Sequence, residues 1–133
     1  MTLPEASAAA GRPIVAKPGS TSECGYADPE GGPEGVSFMV VSDRVARVDV
    51  TGGPVKTRSG AGVGDTEAQV QARYADKLEV SPHKYVPGGH YLTLVPADAA
   101  DAGFRLIFET DGSKVTRFRA GKEPEVSYVE GCG

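Results

Sequence analysis

Several residue types are scarce or missing in this chain. It has no tryptophan, two cysteines and two histidines, and only four phenylalanines and five tyrosines among its 133 residues. Few large side chains are available for a hydrophobic interior, so each aromatic residue is expected to contribute strongly to packing. The length suits one domain with one core, because compact domains commonly contain about 100 to 150 residues.

Long apolar runs and an excess of positive charge are also missing. No segment approaches the roughly 18 to 20 apolar residues that span a bilayer, and no charged segment followed by an apolar one stands at the N-terminus. The formal net charge is -4, whereas proteins that bind nucleic acids usually present a basic surface to the phosphates. We therefore expect neither a membrane span nor a nucleic-acid partner.

The two cysteines stand towards the two ends of the patterned region. Cys24 precedes the first strong strand signal and Cys132 is the penultimate residue. We predict that they form a disulfide, the alternative being two unrelated free thiols in a cytosolic protein; a metal site is disfavoured because the short Cys-x-x-Cys spacing is missing. A disulfide persists in an oxidising compartment, so the pair predicts a secreted or periplasmic protein. Met1 followed by Thr2 fits a chain from which an export signal has been removed, and the sequence leaves open whether such a signal or a lipid-anchored cysteine preceded Thr2.

The N-terminal segment differs in composition from the rest. Residues 2–23 are rich in alanine, serine, proline and glycine, and contain only Ile14 and Val15 as an apolar pair. Such composition is typical of a linker. We predict a flexible tether over residues 1–23 and a single α+β domain over residues 24–133.

A hairpin is indicated by two neighbouring segments of alternating character. V-S-F-M-V-V at 36–41 is apolar on both faces, and V-A-R-V-D-V at 45–50 alternates, with Arg47 and Asp49 directed outward. The polar Ser-Asp-Arg between them suits a turn. We therefore expect two paired antiparallel strands here.

One helix is predicted after the glycine-rich stretch 59–64. Thr66 and Gln69 have the spacing of a capping box, and a helix of about ten residues is expected to begin at Thr66. Val70 and Tyr74 are four residues apart, which places them on one face of a helix. This face is expected to be buried.

The remainder of the chain has the character of strands. Asp111-Gly112 marks a tight turn, and the expected strands are 90–95, 104–109, 114–119 and 125–129. Together with the hairpin and the helix they predict an α+β fold. We expect a mainly antiparallel sheet of about five to six strands with one helix packed on a face, closed by the terminal disulfide.

The stretch from Ser59 to Ala120 resembles small exported bacterial domains and lipoproteins of unassigned function. The resemblance lies in S-G-A-G-V-G-D-T-E-A-Q-V-Q-A-R-Y, H-K-Y, G-H-Y-L and F-E-T-D-G-S-K-V-T-R-F-R-A-G, and the closing Y-V-E-G-C is also similar. More distantly, the helix-then-sheet order is similar to the repeat of β-lactamase inhibitory protein and to the SmpA/OmlA outer-membrane assembly lipoproteins. Those relatives bind proteins, so the resemblance implies a binding role. It carries over no functional residue, and one helix-sheet unit is expected where the inhibitory protein has two.

The segment S-P-H-K-Y-V-P-G-G-H-Y contains the most suggestive side chains. Histidine near neutral pH can carry protons or bind metals, but the His-x6-His spacing fits no common zinc pattern and no third ligand stands nearby. A solvated sheet edge explains the residues equally well. As a partner-binding surface, the segment offers His83, Lys84, Tyr85, His90 and Tyr91.

Three arginines alternate with apolar positions on two adjacent predicted strands. Arg105, Arg117 and Arg119 are therefore expected to share one sheet face. Such a face suits either a solvated exterior or the landing site of an anionic partner.

Together these features favour a non-enzymatic exported domain that binds another protein or a cell-envelope component, as an inhibitor or immunity-type factor. Two alternatives remain open at this point. One is a metal-dependent or histidine-dependent hydrolase that uses His83 and His90, and the other is a structural accessory domain of the cell envelope. We expect no cofactor and no bound metal.

Overall fold

A single antiparallel sheet dominates the computed structural model, which describes residues 1–21, 23–75 and 77–132. Within them, eight strands follow in chain order: β1 (Ile14–Ala16), β2 (Cys24–Pro29), β3 (Val36–Val41), β4 (Arg44–Val50), β5 (Glu79–Pro82), β6 (His90–Leu94), β7 (Phe104–Thr110) and β8 (Val115–Lys122). Two short helices, α1 (Leu3–Ala10) and α2 (Glu67–Arg73), precede β1 and β5. The predicted sheet of about five to six strands with one helix is therefore wrong.

The strands form two consecutive meanders that meet in the middle of the sheet. The spatial order is β1-β2-β3-β4-β8-β7-β6-β5, so the last strand of each meander pairs with the last strand of the other. A helix stands before each meander, and the described chain consequently contains two helix-then-four-strand units rather than the single unit that was predicted.

The start of each helix is attached to its own meander in the same way. Thr2 forms an isolated antiparallel bridge with Arg44, and Thr66 forms one with Lys114. These bridges place the N-terminus of each helix beside the beginning of the last strand in its unit. The two units therefore share their element order and the contact that closes them.

Both helices begin at a capping box. In α2 the Thr66 hydroxyl accepts from the backbone N–H of Gln69, whose side chain accepts from the Thr66 N–H, as predicted. The same reciprocal pair joins Thr2 and Glu5 at the start of α1, a signal that was overlooked in the sequence. The α2 helix is shorter than the predicted ten residues because it ends at Arg73.

The predicted tether contains regular structure. Residues 3–10 form α1, and β1 pairs with β2 through Ile14 and Pro29. Ala6 and Ile14 are buried in a small cluster with Ala27 and Val40. Flexibility of segment 1–23 remains a prediction, but the structure assigns this segment a helix and an edge strand.

The main core lies between α2 and one face of the sheet. Val50, Phe118, Phe108 and Leu92 are successive partners across β4, β8, β7 and β6, and all four are buried. Val70 is fully buried against them, which confirms the predicted inner face of the helix. The ring of Tyr74 packs against Phe108 with centroids 5.8 Å apart.

The opposite face of the sheet is crossed by the end of the chain. We call residues 123–132 the C-terminal strap. The strand predicted over 125–129 is wrong, because the strap contains a short 3-10 turn at Glu125–Ser127 instead. The strap ends in the predicted disulfide, in which the Cα atoms of Cys24 and Cys132 are 5.6 Å apart.

Candidate functional site

Two arginines lie on adjacent central strands beneath the C-terminal strap. Arg47 of β4 is 5% exposed and Arg119 of β8 is 3% exposed. Alternation correctly placed both on the face away from α2, but it predicted a solvated or exposed position. They are buried because the strap covers this part of the sheet.

Both guanidinium groups hold the strap through its backbone. The Nη1 of Arg47 donates to the carbonyl oxygens of Glu125 and Tyr128 at 2.9 and 2.7 Å. The Nε of Arg119 donates to the carbonyl of Val126 at 2.6 Å. Since carbonyls buried without partners are costly, these bonds fix the path of the strap.

Each buried arginine also has a carboxylate partner. The Nε of Arg47 lies 3.0 Å from Oδ2 of Asp49, and Nη1 of Arg119 pairs with Oε2 of Glu109. Burial raises the pKa of the Asp49 carboxyl, although the charge and hydrogen bond of Arg47 oppose that rise. The face beneath the strap is thus a layer of paired charges.

His83 extends this layer and has no free ring nitrogen. Its Nε2 lies 2.7 Å from Oε1 of Glu109, while its Nδ1 accepts from the backbone N–H groups of Tyr85 and Val86 at 3.0 and 3.2 Å. The two N–H donors make Nδ1 an acceptor and assign the donating proton to Nε2, so both ring nitrogens have partners. The ring stacks on Tyr91 with centroids 4.5 Å apart. These contacts are those of a structural histidine.

His90 lies on the other face of the sheet, beside α2. Its Nδ1 is 2.8 and 3.0 Å from the two carboxylate oxygens of Glu67, which also accepts from the hydroxyl of Thr110. The two histidines are close in sequence but are separated by the sheet and have different carboxylate partners. Within residues 1–21, 23–75 and 77–132, no three histidine, cysteine, aspartate or glutamate side chains are grouped as metal ligands.

An exposed cluster joins the β5–β6 loop to the strap. We call Lys84, Tyr85, Tyr128 and Glu130 the tyrosine rim. Oε1 of Glu130 accepts from the Tyr85 hydroxyl and lies 2.9 Å from the Nζ of Lys84. These hydrogen bonds, that of Tyr85 first, lower the pKa of Glu130 to about 2. Tyr85 is 57% exposed and Tyr128 is 45% exposed.

Only half of the tyrosine rim was recognised in the sequence. Lys84 and Tyr85 were candidates, whereas Tyr128 was assigned to a strand and Glu130 was not singled out. The Y-V-E-G-C run next to a predicted disulfide was the available signal, since a disulfide brings the end of the chain back to the folded domain.

A cleft of about 240 Å³ opens on the other side of the strap. Its walls combine the ends of the first meander, the central strands and the strap, and include Lys17, Ser37, Asp49, Arg117, Val129 and Gly131. Val129, Glu130 and Gly131 also border the surface beside Lys84 and Tyr128. The cleft and the tyrosine rim are therefore neighbours across the strap.

The three candidate arginines share a face but not an environment. Their register across β7 and β8 puts Arg105, Arg117 and Arg119 on the side of the strap. Arg119 is buried and paired, and Arg105 donates from Nη1 to the carbonyls of Ala102 and Phe104, each at 2.7 Å. Arg117 is exposed at the cleft. A partner-binding role remains a prediction for these arginines.

Neither α1 nor α2, the helices of the described part of the chain, has the length and apolar composition to cross a membrane. The chain matches no family model, and no curated protein or solved structure is significantly similar to it.

Proposed function

We propose that this chain is a non-enzymatic binding domain of an oxidising compartment, secreted or periplasmic, and that its partner is another protein or a protein component of the cell envelope. The contact surface in this proposal is the tyrosine rim. An inhibitor or immunity-type role is one form that such binding takes.

The single observation that supports the proposal most is a pair of exposed tyrosines on a loop and a strap that are hydrogen-bonded to each other. Tyr85 and Tyr128 are 57% and 45% exposed, and tyrosine is enriched among the residues that contribute most to protein interfaces. Glu130 bonds the loop of Tyr85 to the strap of Tyr128. Preorganised aromatic side chains lose little conformational freedom on binding, which favours affinity.

The satisfied state of His83 argues against the hydrolase alternative. A general base needs an accessible nitrogen lone pair, and the Nδ1 of His83 is engaged by two backbone donors. In the same way, a metal ion at Nδ1 requires the loss of both of those hydrogen bonds.

A capture experiment tests the proposal. The disulfide-bonded protein is immobilised, exposed to envelope and secreted fractions of the source cells, and the retained proteins are identified by mass spectrometry. We expect a protein that is retained by the native chain and lost from the Tyr85→Ala, Tyr128→Ala double variant.

Phe104→Ala is the matched control. Phe104 is an exposed aromatic residue with a lysine over its ring at 5.5 Å, much as Lys84 lies over Tyr85 at 5.2 Å, but it stands on β7 away from the rim. Retention that is lost equally in the control and in the double variant would indicate nonspecific adhesion and contradict the proposal. Stoichiometric zinc retained after dialysis and lost in His83→Ala, His90→Ala would favour the enzyme alternative.

A further inference from the structure

The cleft beside the strap contains one positive charge more than its surroundings neutralise. Lys17 lies 3.3 Å from Asp28, Arg47 is paired with Asp49, and Arg119 behind them is paired with Glu109. Among the described residues, the guanidinium of Arg117 forms no salt bridge and no hydrogen bond. It is exposed and lines the cleft.

The carboxylate nearest to Arg117 in the sheet register is fully engaged elsewhere. Glu109 is the partner of Arg117 across β7 and β8, but its Oε1 is bound to His83 and its Oε2 to Arg119. The other carboxylates at the cleft are committed in the same way, since Asp49 is bound to Arg47 and Glu130 to Lys84 and Tyr85. Arg117 is left with its donors free for an external acceptor.

From this arrangement we propose that the cleft receives a carboxylate side chain, aspartate or glutamate, of the partner protein, and that Arg117 binds it. The fork of N–H donors on a guanidinium matches the two oxygens of a carboxylate. Thr51 also lines the cleft, and its hydroxyl group supplies a further donor, whereas the hydroxyl of Ser37 at the same wall already donates to Asp28. The volume of about 240 Å³ suits one side chain rather than a large ligand.

The position of the cleft connects this inference to the proposed function, on which it rests. Val129 and Gly131 border both the cleft and the surface beside Lys84 and Tyr128, and Glu130 of the rim itself lines the cleft. A partner that covers Tyr85 and Tyr128 therefore extends over the strap to Arg117. The tyrosines supply contact area, and the carboxylate fixes the orientation of the partner.

Titration of the isotopically labelled, disulfide-bonded chain tests the site without knowledge of the partner. The probe is the blocked peptide acetyl-Gly-Glu-Gly-amide, and acetyl-Gly-Gln-Gly-amide is its uncharged control. We expect saturable shifts at the Arg117 Nε–H and at the amides of Ser37 and Val129 with the glutamate peptide, and none with the glutamine peptide. Loss of one charge-assisted pair weakens binding by about tenfold or more, so Arg117→Gln is expected to lower the affinity by that factor.

Arg105→Gln is the matched control, because Arg105 lies on the same face but donates to nearby carbonyls. Equal binding by Arg117→Gln and the native chain, or no saturable shift with the glutamate peptide, would overturn the proposed site. Sodium succinate distinguishes a free dicarboxylate from a protein side chain: binding tighter than that of the peptide would overturn the assignment to a partner protein. Capture that depends on Tyr85 and Tyr128 but not on Arg117 would reject this inference and leave the proposed function standing.

Discussion

The Nη1 of Arg47 donates to the carbonyl oxygen of Tyr128 over 2.7 Å, although the two residues are 81 positions apart in the chain. This bond makes the strap an integral part of the sheet structure. The same bond positions the exposed ring of Tyr128, because it attaches the backbone of Tyr128 to Arg47 on the central strand β4.

Replacement of Arg47 is expected to destabilise the fold strongly. Arg47→Met removes two hydrogen bonds to the strap and leaves Asp49 without its cation. Breaking a buried ion pair from one side costs about 3 to 5 kcal/mol in the free energy of unfolding. Urea unfolding measures the loss, and Arg117→Met at an exposed position is the control. Equal stability of the two variants would show that the strap is not held by Arg47.

The disulfide is expected to contribute through the unfolded chain. Cys24 and Cys132 are separated by 108 positions. In the chain-entropy model, the entropy lost by cross-linking a loop of that size raises the free energy of the unfolded state by about 4 to 5 kcal/mol. The double variant Cys24→Ser, Cys132→Ser should therefore unfold at a lower urea concentration. Its loss in the free energy of unfolding is smaller than the model value where the unfolded chain keeps some structure. Alkylation of unreduced protein, followed by mass measurement, checks the bond itself. Two modified thiols would contradict the structure.

The tyrosine rim predicts an unusual titration. The pKa of Glu130 is lowered from 4.5 to about 2 by Tyr85 and then Lys84. A depressed pKa stabilises the folded state above the ordinary pKa, so this contribution is present above pH 4.5 and is lost as the pH falls towards 2. Carbon chemical shifts of the Glu130 carboxyl during an acid titration measure the midpoint. The midpoint should rise in Tyr85→Phe, and an unchanged midpoint in that variant would remove Tyr85 as the main cause.

The inner face of α2 is tested by a pair of neighbouring substitutions. Val70 has no exposed surface, so Val70→Asp buries a charge without a partner and is expected to unfold much of the domain. Gln71→Asp, one residue further along the helix, should retain the native circular dichroism and melting temperature to within a few degrees, about the effect of an ordinary surface change. Similar losses in both variants would contradict the orientation of the helix.

The elements that depend on residues close together in the chain could be predicted correctly. The 36–41 and 45–50 hairpin follows from alternation, and the start of α2 follows from the spacing of Thr66 and Gln69, so both could be identified. The strands that were not predicted have weaker local signals. The β2 strand contains glycine, aspartate and proline, and the β5 strand is exposed throughout and ends in Pro82. Their place in the sheet depends on pairing with neighbours.

The candidate site is formed by contacts between residues far apart in the chain, which the alternation of polar and apolar residues does not predict. Alternation marked Arg47 as outward, but its burial results from carbonyls 78 and 81 residues further along the chain. Glu109 was not recognised as the group that joins His83 to Arg119, because these two side chains lie 26 and 10 positions away from it in the chain. Every residue has a backbone carbonyl, so a side chain that donates to a carbonyl requires no particular residue type at the acceptor position. A single sequence therefore does not indicate such a hydrogen bond.

The order of the strands also determines how the molecule meets its neighbours in solution. Because β4 and β8 meet in the middle, the unpaired edges of the sheet are β1 and β5. Both are short and bounded by proline: β1 lies between Pro13 and Pro18, and β5 ends at Pro82. Proline cannot donate to a further strand, and short edges with such interruptions resist edge-to-edge association. Val15 and Val80 are exposed at these two margins, and the prolines beside them disfavour the addition of a further strand there.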